Sequence, residues 1–147
     1  MRIPVQIIVK STVCHDQAEE EHIEFSTTGE FLKKEEAFYL TYQESQEVGN
    51  IKTVMKISGG HLLLIRSGAV RSRQLFQKGK KTYTYYETPY GSLRLAAETK
   101  RFRWHTDGEK HGTLNLEYLL EIEGDQAHLH RLAIQFKKED EMNEYRR

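Results

Sequence analysis

Read for alternation, the chain breaks into short runs in which every second residue is apolar. Ile3, Val5, Ile7 and Val9 share one face of the first run, with Gln6 and Lys10 on the other. A two-residue period of this kind is the signature of a strand. It returns in Ile23/Phe25, Phe38/Leu40/Tyr42, Ile51 to Ile57, His61/Leu63/Ile65, Tyr83/Tyr85, Leu93/Leu95/Ala97, Leu114 to Ile122 and Leu132/Ile134/Phe136. Helical spacing is almost absent. Between the runs stand "VGN", "GG", "SG", "KGK", "DG" and "GD", each able to supply the positive φ of a tight hairpin turn. In the run from Leu93 the apolar face changes parity, odd at Leu95 and Ala97 and even at Phe102 and Trp104, which predicts a β-bulge between 97 and 102.

Nine or ten strands with short connections and no βαβ pattern describe an all-β, antiparallel up-and-down meander. An open sheet would leave "IPVQIIV" and "LAIQF" as apolar edges, a liability that curling the sheet until its ends meet removes. The expectation is a closed barrel of eight to ten strands. A single domain over 1–138 is expected, with 139–147 a polar tail.

Composition narrows the class further. With 147 residues, 37% hydrophobic and 30% charged, the chain suits one folded domain rich in half-buried strands rather than a disordered or coiled-coil chain. The longest aliphatic run, Leu62 to Ile65, is far below the roughly 18 residues of a membrane-spanning helix. "MRIPVQIIVK" lacks the pattern of a secretory leader, and the single Cys14 cannot form an internal disulfide, so a cytoplasmic setting is expected. Net charge is zero but unevenly spread: residues 1–65 carry six Lys+Arg against ten Asp+Glu, 66–112 eleven against four, and 113–147 five against eight. The basic middle is either an anion-binding face or is neutralised by acidic strands beside it.

Candidate chemistry is sparse. No nucleophile elbow, zinc-protease helix, paired-cysteine motif or phosphate loop is present, and the Glu19 to Glu21 run beside His22 reads as a solvated turn. No catalytic residue, metal or cofactor is therefore assigned, although a barrel mouth can host chemistry and fold does not fix function. In "KTYTYYETPYGSLRL", Tyr83 and Tyr85 share one strand face, and "TPYG" reverses the chain. Directed inward, those phenols would either fill the core or line a small-molecule site. His128 and His130 lie on the face that continues as Leu132, Ile134 and Phe136, near one barrel mouth. A metal site would need a third ligand such as His105 or His111, so hydrogen-bonded rim histidines are the simpler expectation. The leading expectation is a non-enzymatic module binding a small molecule in the barrel mouth through Tyr83, Tyr85, Tyr118, His128 and His130. The alternative is a nucleic-acid or acidic-protein binder using Arg71, Arg73, Lys80, Lys81, Arg101 and Arg103 among the aromatics of the basic segment.

The segments "ETPYGSLRL" and "GTLNLEYLLEI", with Thr88 to Gly91 and Gly112 to Leu120 as the most characteristic stretches, resemble the YwiB-like family of uncharacterised bacterial proteins, a domain of unknown function. The resemblance covers the chain up to its polar tail. It implies a calycin-like barrel, akin to lipocalins and fatty-acid-binding proteins, in a bacterial cytosol, and it brings no activity, cofactor or catalytic residue. The chain departs from lipocalins in lacking the Gly-x-Trp signature near the N-terminus, its one tryptophan being Trp104.

Overall fold

The computed structural model describes residues 2–15, 19–108 and 110–139. Their regular structure consists of ten strands. These are β1 (Arg2–Cys14), β2 (Glu21–Lys34), β3 (Ala37–Gln46), β4 (Gly49–Ser58), β5 (His61–Gly68), β6 (Ser72–Gln77), β7 (Lys81–Thr88), β8 (Gly91–Asp107), β9 (His111–Ile122) and β10 (His128–Lys138). All pair antiparallel in the order β6-β5-β4-β3-β2-β1-β10-β9-β8-β7, forming a nearly closed barrel. No helix of the described residues is long and apolar enough to cross a membrane.

The chain's two outer strands meet in the middle of this order. β1 and β10 pair from Val5↔Lys138 to Cys14↔Leu129, which hides the apolar runs that would otherwise be edges. The remaining seam lies between β6 and β7, so one link of the expected meander is not a continuous ladder. It is bridged at one end by reciprocal backbone bonds between Arg71 and Glu87 (2.9 and 2.8 Å). Side chains close its middle: Gln74 Nε2 donates to Thr82 Oγ1 at 2.9 Å, and Thr82 Oγ1 in turn donates to the Leu75 carbonyl.

Turn chemistry and strand irregularity follow the sequence. The two residues between Ser58 and His61 are Gly59 and Gly60, with φ of 56° and 79°, and a two-residue hairpin turn with both centres in the left-handed region is what this pair permits. The ladder between β8 and β9 shifts between Thr99 and Arg101, placing the expected bulge at Lys100 and turning Phe102 and Trp104 back inward.

The two halves of the interior are filled differently. Towards the end bearing the β2–β3, β4–β5 and β8–β9 turns, Phe31 stacks on Phe136 at 4.3 Å between ring centroids and on Phe38 at 5.9 Å, and Trp104 stacks on Phe136 at 6.0 Å. Val5, Ile7, Leu40, Ile57, Leu62 and Leu114 complete a solid apolar floor. Gly112 makes room for it, since a Cβ there would overlap the Phe136 ring. In the opposite half the inward side chains leave space.

Candidate functional site: a cup at one end of the barrel

The open half encloses a cavity of about 400 Å³. Its walls are mostly apolar, including Val9, Phe25, Met55, Leu64, Leu95 and Leu132, and the exposed Ile23 and Ile122 mark the mouth. Polar groups enter from a few strands. On the inner face, Tyr42 of β3, Thr53 of β4 and Arg66 of β5 stand opposite one another as a cross-strand row. Glu44, two residues nearer the mouth, accepts a 2.8 Å hydrogen bond from the fully buried Thr53 hydroxyl. Gln74 follows on the adjoining β6, and Thr84, Tyr86 and Tyr118 line the wall from β7 and β9.

Burial governs the protonation of this wall. Desolvation pushes the Tyr118 phenol up to about 12, with the Arg66 guanidinium pulling slightly the other way. Burial raises Tyr42 as well, reinforced by the Glu44 carboxylate and opposed by Arg66. Both phenols are therefore neutral hydrogen-bond donors at physiological pH. Arg66 carries the only cationic side chain among the lining residues, and its Nε is buried without a hydrogen-bond partner.

Three of the five residues anticipated for the site gather at this end. Tyr118 lines the cavity, and its ring lies between Phe76 (4.7 Å) and His130 (5.2 Å, nearly parallel). His130 faces Tyr118 across the β9–β10 ladder, and burial with the neighbouring His128 and His15 holds its imidazole below the ordinary value. His128 turns to the rim, edge-on to His15 at 5.0 Å, and its Nδ1 is buried without a partner. His15 Nε2 approaches Glu21 Oε2 to 3.3 Å, within ion-pair range but without hydrogen-bond alignment.

Tyr83 and Tyr85 require correction. They point outward, 67% and 64% exposed, and it is Thr82, Thr84 and Tyr86 that face the interior. In "TYTYY" both alternating types tolerate either environment, and the inner positions meet the polar Gln74 at the seam, which favours threonine. The inward face of β5 is likewise the reverse of the expected one: Leu62 and Leu64 line the inside with Arg66, rather than His61, Leu63 and Ile65. Because Leu62 to Ile65 is unbroken, its period carries no face information, and a charged residue at its end hides the parity. That reversal is why Arg66 escaped sequence reasoning. Tyr42, by contrast, shares the parity of Phe38 and Leu40 and could have been found.

The suggested third histidines stand apart from this cluster. His105 and His111 are exposed at the far end, where His111 Nε2 lies 3.2 Å from Asp107. Among the described residues no group of three or more His, Cys, Asp or Glu side chains is placed to hold a metal ion.

The basic segment lies on the outside. Arg71, Arg73, Lys80 and Lys81 flank the β6–β7 seam beside Tyr83 and Tyr85, and Arg101 and Arg103 follow along β8. Acidic residues of β9 neutralise part of it. Lys81 Nζ lies 2.9 Å from Glu121, and Arg101 and Arg131 share Glu117 at 3.0 and 3.2 Å.

Known proteins share this architecture. The chain is 37% identical over 134 residues to a Bacillus subtilis (strain 168) protein named "uncharacterized beta-barrel protein YwiB", covering 91% of this chain and 93% of that one. The crystal structure of the B. subtilis protein superposes with a TM-score of 0.85 at 35% identity, over 93% of this chain and 92% of its own. The family model described as a domain of unknown function, DUF1934, matches residues 7–134, and the chain belongs to that family of β-barrel proteins.

Proposed function

We propose that the barrel is a non-enzymatic binding module of the cytoplasm, calycin-like in use as well as in outline, whose open half takes up a small molecule. The observation that carries this reading is the unequal filling of the interior. One half is packed with stacked aromatic rings, while the other leaves about 400 Å³ lined by apolar side chains and a few polar groups. Concave, largely apolar sites with sparse directional groups are what small-molecule recognition uses. Of the anticipated residues, Tyr118 lines the cup, His130 supports its ring from behind, and His128 stands at the rim. The test is a fluorescence titration with N-phenyl-1-naphthylamine, a neutral probe that brightens in apolar surroundings. Saturable binding that disappears in Leu64→Trp, which fills the cup, supports the reading; no saturable binding to the unaltered protein sinks it.

One observation favours a second reading. Tyr83 and Tyr85 are exposed beside Arg71, Arg73, Lys80 and Lys81, with Arg101 and Arg103 further along, an array of rings and cations suited to single-stranded nucleic acid. Binding of an oligonucleotide that weakens steeply with added salt and is lost in Tyr83→Ala/Tyr85→Ala would support it. Absence of association at low salt would remove it.

A further inference from the structure

Arg66 is an unusual occupant of an apolar cavity. Arg66 is half-buried and a guanidinium keeps its charge inside a protein, so the part of it withdrawn from water gains from a partner. Its Nε is shielded from solvent and bonded to nothing, and no carboxylate among the described residues lies within ion-pair distance of the group. Glu44 lines the same cavity, yet its carboxylate is engaged by Thr53 one row nearer the mouth. A buried donor of this kind calls for an explanation.

The surroundings supply one. Tyr42 shares the cross-strand row with Arg66, and Tyr118 reaches in from the opposite wall near enough to feel the guanidinium's charge. Cation and phenols are three donor groups around one region of the cup, and the lining below them is apolar. Donors converging at the edge of an apolar space complement a ligand with an anionic head and a hydrocarbon body. Charge limits the head. The lining holds one cation, Arg66, and one anion, Glu44, and is net neutral, so a monoanionic head beside Arg66 leaves one uncompensated charge and a dianionic phosphate two, which favours the monoanion.

We propose that Arg66 makes the cup a receptor for amphipathic carboxylates, the guanidinium and the Tyr42 and Tyr118 phenols holding the carboxylate while the apolar body lies against Phe25, Met55 and Leu132. The inference rests on the cup reading above, and the experiment separates the two. Octanoate, octan-1-ol and octylamine share one chain and differ in head group, and each is titrated against bound N-phenyl-1-naphthylamine. Octanoate displaces the probe at a concentration at least about tenfold below octan-1-ol, the size of effect one charge-assisted contact supplies. In Arg66→Gln that preference falls to less than about twofold. Arg66→Lys, which keeps the charge but loses the fork, retains part of it. Equal displacement by octanoate and octan-1-ol in the unaltered protein overturns the carboxylate inference while leaving the cup intact, and this comparison needs no variant to fold. Preference for octylamine overturns it in favour of Glu44. If the probe itself does not bind, the cup reading falls and this inference with it.

Discussion

Two phenols in the cup are kept neutral by burial, and this has a titration consequence. As alkali is added, burial holds the Tyr118 proton in place until about pH 12. Ultraviolet absorbance of tyrosinate follows this, and Tyr118→Phe removes a late-ionising group. The linkage sign is set by the direction of the shift. A phenol that releases its proton less readily when folded favours the fold fully below about pH 10 and loses that contribution as pH climbs through the folded value. His130 works in the opposite sense. Its imidazole, depressed mainly by burial and further by His128 and His15, favours the fold above about pH 6.5 and loses that contribution as pH falls through its lower folded value. Thermal melts at about pH 8 and about pH 5 show the loss, and His130→Gln shrinks it. An unchanged pH profile in that variant would show that His130 binds its proton equally in the folded and unfolded chain.

Among the elements, the long strand β8 depends on one surplus residue. Leu95 and Ala97 point inward before the bulge, Phe102 and Trp104 after it, and Lys100 is the residue that resets the register against β9. Deleting Lys100 itself would only remove the bend, since Thr99, Arg101 and Phe102 would then alternate without a break against Tyr118, Glu117 and Leu116. Inserting one alanine after Arg101 instead turns every later side chain of β8 over, exposing Phe102 and Trp104 and burying Arg103 and His105. The expected cost is several times the ~1 kcal/mol of a typical substitution, read as a large fall in melting temperature by circular dichroism. A variant melting within a few degrees of the parent would mean that the ladder re-forms around a bulge elsewhere. The change of parity was legible because bulky apolar residues stand on both sides of it. Legibility failed in β5 and β7 for a different physical reason. Leu62 to Ile65 is apolar at every position, and Thr and Tyr alternate in β7 with neither type clearly belonging inside, so neither strand announces its face. The outer wall was thus mistaken for the inner one, and Arg66, inward by parity with Leu62 and Leu64, went unseen. Strand number and curvature survived these errors because they depend on turns and on apolar ends rather than on any one face.

For the molecule as a whole, the division between floor and cup predicts an uneven response to lost volume. Phe31→Ala empties a site fully enclosed by stacked rings and is expected to cost about 3–5 kcal/mol. Phe25→Ala, at the wall of a cavity that already exists, should cost less than half as much, because water can occupy the enlarged space. Urea denaturation of the two variants measures the difference, and equal costs would mean that the cup is as tightly filled as the floor. The seam has a further consequence. β1 and β10 lie side by side, and the Glu139 amide donates to the Pro4 carbonyl at 3.0 Å, whereas β6 and β7 are consecutive yet share no continuous ladder. Spliced through a short linker from Glu139 to Arg2 and cut open at Gly79, the rearranged chain would run as one uninterrupted hairpin series from β7 round to β6. Such a circular permutant should refold with the parent's spectrum, its new ends resting where the cylinder already has its slit.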